Sequence, residues 1–239
     1  MAVVTREVEY THRDNQFEGV VAVDNASETK RPVVLVSHAW GGRDDFAVQK
    51  AKDLAKLGYL GFALDLYGKG VRGTSKEENR ALMSPLLEDR TLLQARMQSA
   101  VDTACAQPEA DATKVAAIGY CFGGLCVLDL ARAGADVSAV VSFHGLFSAP
   151  GNTVGRKIKS RVLVLHGYDD PMAEPDSMVA LAAELTEAQA DWQVHAYGNT
   201  LHAFTNPEAN DPDFGTVYSA QADKRSWRSM TDFLADSFA

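Results

Sequence analysis

Hydrophobic and polar positions alternate from Val3 to Thr11, and a second extended run from Phe17 to Val23 follows the turn residues Arg13, Asp14 and Asn15. That period of two predicts an antiparallel hairpin at a sheet edge. The next run, Pro32 to Ser37, is continuous and β-branched, the mark of a strand covered on both faces. Beyond it the period switches back and forth. Phe46 to Leu57 is amphipathic and closed by Gly58, and Tyr59 to Leu64 is extended. Leu93, Met97, Ala100, Val101 and Ala104 fall on one helical face, and Ala116 to Ile118 is an apolar strand followed by helix-forming residues from Leu125 to Ala133. Ala139–Phe143 and Arg161–His166 read as buried strands, 177–188 as a helix with Ser177 as its cap, Trp192–Tyr197 as a last strand, and Val217–Phe238 as a closing helix. Between them, Ser75 to Pro85 is charged and weakly periodic, so it is expected as a surface excursion, with Pro85 ending any helix.

Strands and helices alternating with short links imply a mostly parallel sheet with helices on both faces and the antiparallel hairpin at one edge. The 239 residues, 46% of them hydrophobic, suffice for one sizeable core, so a single α/β domain over 1–239 is expected. The formal charge is −9, with lysines and arginines scattered, which argues against nucleic acid and anionic membrane as partners. The N-terminal residues lack a secretory pattern, and three cysteines with no C-x-x-C pair fit a reducing, cytoplasmic setting. No histidine spacing suits a metal, so no metal is expected; a monomer or small homo-oligomer is.

Chemistry enters at Gly119-Tyr120-Cys121-Phe122-Gly123-Gly124. A reactive side chain between a strand and a helix, with glycines two positions before and two after, is the nucleophile-elbow pattern. The glycines are needed because larger side chains would collide where strand and helix converge. Here the tip is a thiol, and helix dipoles favour a thiolate at that place. Cys105 and Cys126 read as inert core thiols. Two later strand ends supply the rest of a triad in the order nucleophile, acid, histidine: Asp169 or Asp170 after one, and His202 after the other. His12, His166 and His195 have no such support.

With Asp65-Leu66-Tyr67 and His202-Ala203-Phe204, the elbow resembles the dienelactone hydrolase family from about Val33 to the C-terminus. The resemblance implies an α/β-hydrolase fold and a cofactor-free cysteine hydrolase, carboxymethylenebutenolidase-like, that cleaves small esters or lactones through an acyl-thioester. It implies Cys121, Asp170 and His202 as the triad, Asp170 being fourth in the family's G-x-x-D loop, with Ala39 and Phe122 as oxyanion donors. His38 stands where the family has a glutamate that contacts the thiol, and Asn206 where it has a carboxylate-gripping arginine. Arg80 corresponds loosely to a second such arginine. Trp40, Tyr67, Phe143 and Phe147, with His38, are the expected substrate contacts and suggest an apolar pocket. The alternative is a ligand-binding or redox-sensing protein of this fold whose Cys121 reacts without turnover.

Overall fold

The computed structural model describes residues 2–26 and 29–239. It contains two compact units, one ending at Ile118 and one beginning at Gly119.

In the first unit, β1 (Val3–His12) and β2 (Asn15–Asp24) form the expected hairpin, with Val3 opposite Asp24 and His12 opposite Asn15. β2 is buried from Phe17 to Val23, whereas β1 buries little beyond Tyr10. β3 (Arg31–Ser37) runs parallel to β4 (Leu60–Ala63), and β2 joins β4 antiparallel. With β5 (Ala110–Tyr120), which reaches the boundary between the units, the order is β1-β2-β4-β3-β5.

Helix α1 (Asp45–Lys56) starts where the Asp44 carboxylate accepts from Ala47 N at 3.0 Å, and it buries Ala47, Ala51, Leu54 and Ala55. Gly61 of β4 lets this helix lie close, since a Cβ there would stand 2.2 Å from Ala51 O.

The segment expected as a surface excursion ended by Pro85 is helix α2 (Lys76–Glu88), capped by Ser75, and it runs on through Pro85. Pro85 removes only its own N–H, near the C-terminal end, while its carbonyl still accepts from Asp89 N at 3.0 Å. Helix α3 (Arg90–Cys105) buries the five residues expected on one face.

The second unit continues from the end of β5 with α4 (Phe122–Arg132), β6 (Ala139–Phe143), β7 (Arg161–Gly167), α5 (Pro175–Glu187) and β8 (Trp192–Tyr197). β6 and β8 both run parallel to β7, and the strand order is β5-β6-β7-β8. A small hairpin of β9 (Asn210–Asp211) and β10 (Thr216–Val217) precedes α6 (Ala220–Ser237).

Three boundaries differ from expectation. α4 begins at once after Cys121. α5 opens on Pro175, whose missing N–H costs nothing at a first helical position, so Ser177 lies in the first turn and is no cap. Thr216–Val217 are paired with β9, so the last helix starts later, behind the Ser219 cap.

The buried Arg132 ties α4 to α5: its guanidinium meets both Glu184 oxygens at 2.8 and 2.7 Å, Asp129, and the carbonyls of Phe147 and Ser148. A cation at 2% exposure is tolerable only with that many partners. No helix among the described residues is long and apolar enough to cross a membrane.

Candidate active site

The site grows out of how β5 ends. Val115 to Tyr120 are buried, and the chain then reverses through Cys121 at φ 57°, ψ −117° before α4 begins. This is a left-handed backbone carried by a non-glycine residue, which costs about 1–2 kcal/mol and persists where surrounding structure enforces it. The sequence shows how it is accommodated, because a Cβ on Gly119 would stand 2.0 Å from Gly123 O. The Cys121 amide donates to Phe143 O at 3.0 Å and to His144 Nδ1 at 3.2 Å, so the elbow is fastened to the end of β6. The side chain remains partly exposed.

β7 ends in the turn carrying both candidate acids, and they part company there. Asp169 is exposed and accepts from Thr200 N at 3.1 Å. Asp170 is 1% exposed; its Oδ2 lies 2.6 Å from His202 Nδ1, and its Oδ1 accepts from Met172 N at 2.8 Å. The second bond fixes the carboxylate plane, and the first joins Asp170 rather than Asp169 to His202.

His202 is held in turn by its own backbone, donating to Gly215 O at 2.9 Å and accepting from Val217 N at 3.1 Å. The β9–β10 hairpin therefore supports the imidazole.

His202 Nε2 is buried and has no hydrogen-bond partner among the described residues, while the charge of Cys121 acts on the ring. Burial alone would depress the ring's pKa, but the charge on Cys121, the hydrogen bond to Asp170 and the charge on Asp170 outweigh it. The ring is pushed up to about 10. Among the described residues no group of three or more His, Cys, Asp or Glu side chains could hold a metal ion.

The other expected residues are placed as follows. Phe122 is the first residue of α4 and fully buried. Phe143 is 1% exposed and stacked on Tyr120 at 4.6 Å, and Phe147 is 6% exposed and packed against His166 at 5.2 Å, so both are core packing in their own unit. In the first unit, Ala39 and Trp40 follow β3, and Tyr67 donates its hydroxyl to Trp40 O at 2.9 Å.

His38 has both ring nitrogens occupied there: Nδ1 lies 2.6 Å from Ala39 O, and Nε2 accepts from Leu66 N at 3.2 Å. Burial, resisted by the Ala39 carbonyl, lowers its pKa, so the ring stands neutral with Nδ1 donating. Arg80 is exposed on α2, and Asn206 uses its side-chain oxygen to accept from Glu208 N.

His144 was not singled out by sequence reasoning. It follows β6 at φ 37°, accepts from the Cys121 amide, lies 2.8 Å from Thr205 Oγ1 through Nε2, and sets its ring edge-on to His202 at 5.1 Å. The available signal was its place directly after a buried strand, the place where the other site residues also sit.

A model of the dienelactone hydrolase family matches residues 17–238. Carboxymethylenebutenolidase of Pseudomonas sp. (strain P51) is 28% identical over 203 residues, 82% of each chain. Among solved structures, the dienelactone hydrolase-like promiscuous phosphotriesterase P91 from metagenomic libraries superimposes with a TM-score of 0.94 at 38% identity over 100% of both chains. Dienelactone hydrolase from Anabaena variabilis, at 20% identity and a TM-score of 0.71 over 99% of both chains, is similar in fold alone. The architecture is that of the α/β hydrolases.

Proposed function

Because the chain belongs to the dienelactone hydrolase family and is therefore a hydrolase, we propose that it cleaves small esters or lactones with Cys121 as nucleophile, His202 as base and acid, and Asp170 as the residue that orients the imidazole. The observation that carries this reading is the buried Asp170–His202 contact at 2.6 Å, with the elbow residue Cys121 joined to the same ring through His144.

The chemistry follows from that arrangement. A thiol is a weak nucleophile until its proton is removed, and we assign that removal to His202, whose other ring nitrogen meets Asp170. The thiolate adds to the carbonyl carbon, and the tetrahedral oxyanion collapses with loss of the alcohol oxygen, which takes the proton from His202 Nε2. The acyl-thioester is then attacked by water, whose proton passes to His202, and the sulfur leaves as thiolate. We assign the Phe122 amide, which follows the nucleophile, and the Ala39 amide to the oxyanion, as in related elbows.

Asn206 offers no cation for a substrate carboxylate, so we infer a preference for neutral substrates. Trp40 and Tyr67 remain the proposed apolar contacts. With both its nitrogens bonded inside the first unit, His38 supplies shape rather than a proton acceptor.

The test is Cys121→Ala against a neutral aryl ester such as p-nitrophenyl acetate. Loss of at least about 1,000-fold in kcat is expected, with a thioester adduct on Cys121 detected by mass spectrometry of the acid-quenched parent. Retained turnover removes the thiol from the mechanism. Rapid alkylation of Cys121 without turnover on any ester favours the redox-sensing alternative instead.

A second reading, hydrolysis of neutral phosphate triesters, is favoured by the 38% identity to P91 over the whole of both chains. A thiolate that displaces an aryloxide from carbon can displace it from phosphorus, and the phosphoryl oxygen takes the oxyanion's place. Steady release of p-nitrophenol from paraoxon supports this reading, and a single stoichiometric burst that stops counts against it.

A further inference from the structure

We propose that His144 is a positioning residue: through one neutral ring it couples the backbone of the nucleophile elbow to the loop that carries His202, an inference that rests on the triad reading above. An amide N–H can only donate, so His144 Nδ1, 3.2 Å from the Cys121 amide nitrogen, must present a lone pair. The ring's proton then belongs on Nε2, where it is donated to Thr205 Oγ1 at 2.8 Å. Both members of that bond are buried, His144 at 3% exposure and Thr205 at 1%. Thr205 lies three residues beyond His202 in the same turn, and Ala203 between them takes a left-handed φ of 56°. The face of His144 is packed as tightly as its edge: His202 meets it edge-on at 5.1 Å and Phe204 at 5.1 Å, with the planes 81° apart.

One side chain therefore touches the nucleophile's amide, the base's ring and the base's loop. Its own backbone is held at φ 37°, a strained angle for a residue with a side chain. The tautomer is what makes the link work. With a proton on Nδ1 the ring would confront the Cys121 N–H donor to donor, and with protons on both nitrogens it would set a second cation against the His202 ring. Thr205 selects the useful form by accepting at Nε2, as partners of active-site histidines do elsewhere.

The test uses Thr205→Val, which keeps the side-chain shape and removes the acceptor, beside Thr205→Ser, which keeps the acceptor. Thr205→Val is expected to lower kcat by about 10- to 100-fold, the scale on which misplaced reacting groups lose rate, with KM changed by less than about 2-fold because ground-state binding is untouched. Thr205→Ser is expected to restore kcat to within about 3-fold of the parent. Long-range proton–nitrogen spectra of the parent protein, with His144 assigned from the signals missing in His144→Asn, should show the Nε2–H tautomer at neutral pH. These spectra decide the matter even if Thr205→Val folds poorly.

Parental kcat in Thr205→Val, equal losses in the Val and Ser variants, or an Nδ1–H or cationic His144 would each overturn the proposal. If Cys121→Ala keeps its turnover, the triad reading and this inference fall together. If that variant is dead while Thr205→Val is unimpaired, only the positioning role falls.

Discussion

The end of β3 in the first unit and the end of β6 in the second each place a buried histidine just past a strand, and each ring has both nitrogens bonded. His38 spends its bonds on the carbonyl of the next residue and the amide of Leu66, backbone to backbone among loops of its own unit. His144 spends one on the amide of Cys121 and the other on Thr205, beyond His202. The same side chain in the same kind of place is thus a staple in one case and, in our proposal, a linkage between the nucleophile and the base in the other. What separates them is the residue at the far end of each bond, so burial and strand-end position alone do not identify a functional histidine.

The comparison can be broken most forcefully at the acids. If strand ends of the second unit carry the chemistry, Asp170→Asn should lower kcat by about 1,000- to 10,000-fold, because the amide cannot hold the imidazole in its working form. Asp169→Asn, at the neighbouring residue whose carboxylate meets Thr200 N instead of His202, should stay within about 3-fold; steady-state kinetics on an aryl ester decide, and equal losses would sink the assignment.

At the other region, His38→Leu leaves the buried Leu66 N–H without its acceptor and should cost about 1–3 kcal/mol of stability in urea unfolding. An unchanged midpoint would mean that the staple holds nothing.

A smaller effect sharpens the contrast from the side of strain. Ala203 sits at φ 56°, where a side chain costs about 1–2 kcal/mol and glycine does not, although glycine loses some of that gain in the unfolded chain. Ala203→Gly should therefore raise stability by about 0.5–1 kcal/mol, and a loss of stability would show that the Ala203 side chain contributes more than its backbone costs.

The last of the four concerns pH. With His202 raised from 6.5 to about 10 in the folded state, its protonated form contributes stability that is fully present below pH 6.5 and is lost as pH climbs toward about 10. Cys121→Ser removes the sulfur charge that raises the ring, so between pH 6.5 and 10 the parent should lose more of its Tm than the variant does. A parallel decline in both proteins would refute the sulfur's part.

Much of this was legible before any coordinates. β3, the elbow and the Asp170 and His202 strand ends were readable because each joins a local period to a local stop, and Gly119 reports its own steric duty. Pro85 misled, because proline's cost depends on where in a helix it falls, and near the last turn of α2 it removes one bond and leaves its carbonyl in use. Ser177 misled for a similar reason: Pro175 opens the helix two residues earlier. The β9–β10 hairpin is only two residues on each side, too short to show any period, and its pairing is set by contacts with His202. His144 was invisible as a functional residue because its partners, Cys121 and Thr205, lie 23 and 61 residues away.

Gly215, in the turn before β10, has a φ of 81° and offers its carbonyl to the His202 amide, and a methyl group there would come within 2.2 Å of the ring of Pro171, the neighbour of Asp170. A glycine and a proline that take no part in any bond-making thus pack against each other beside the contact of Asp170 with His202. An alanine at 215 would push both at once, so a lesion in a residue with no chemistry of its own would imitate an enzyme that has lost its catalytic groups.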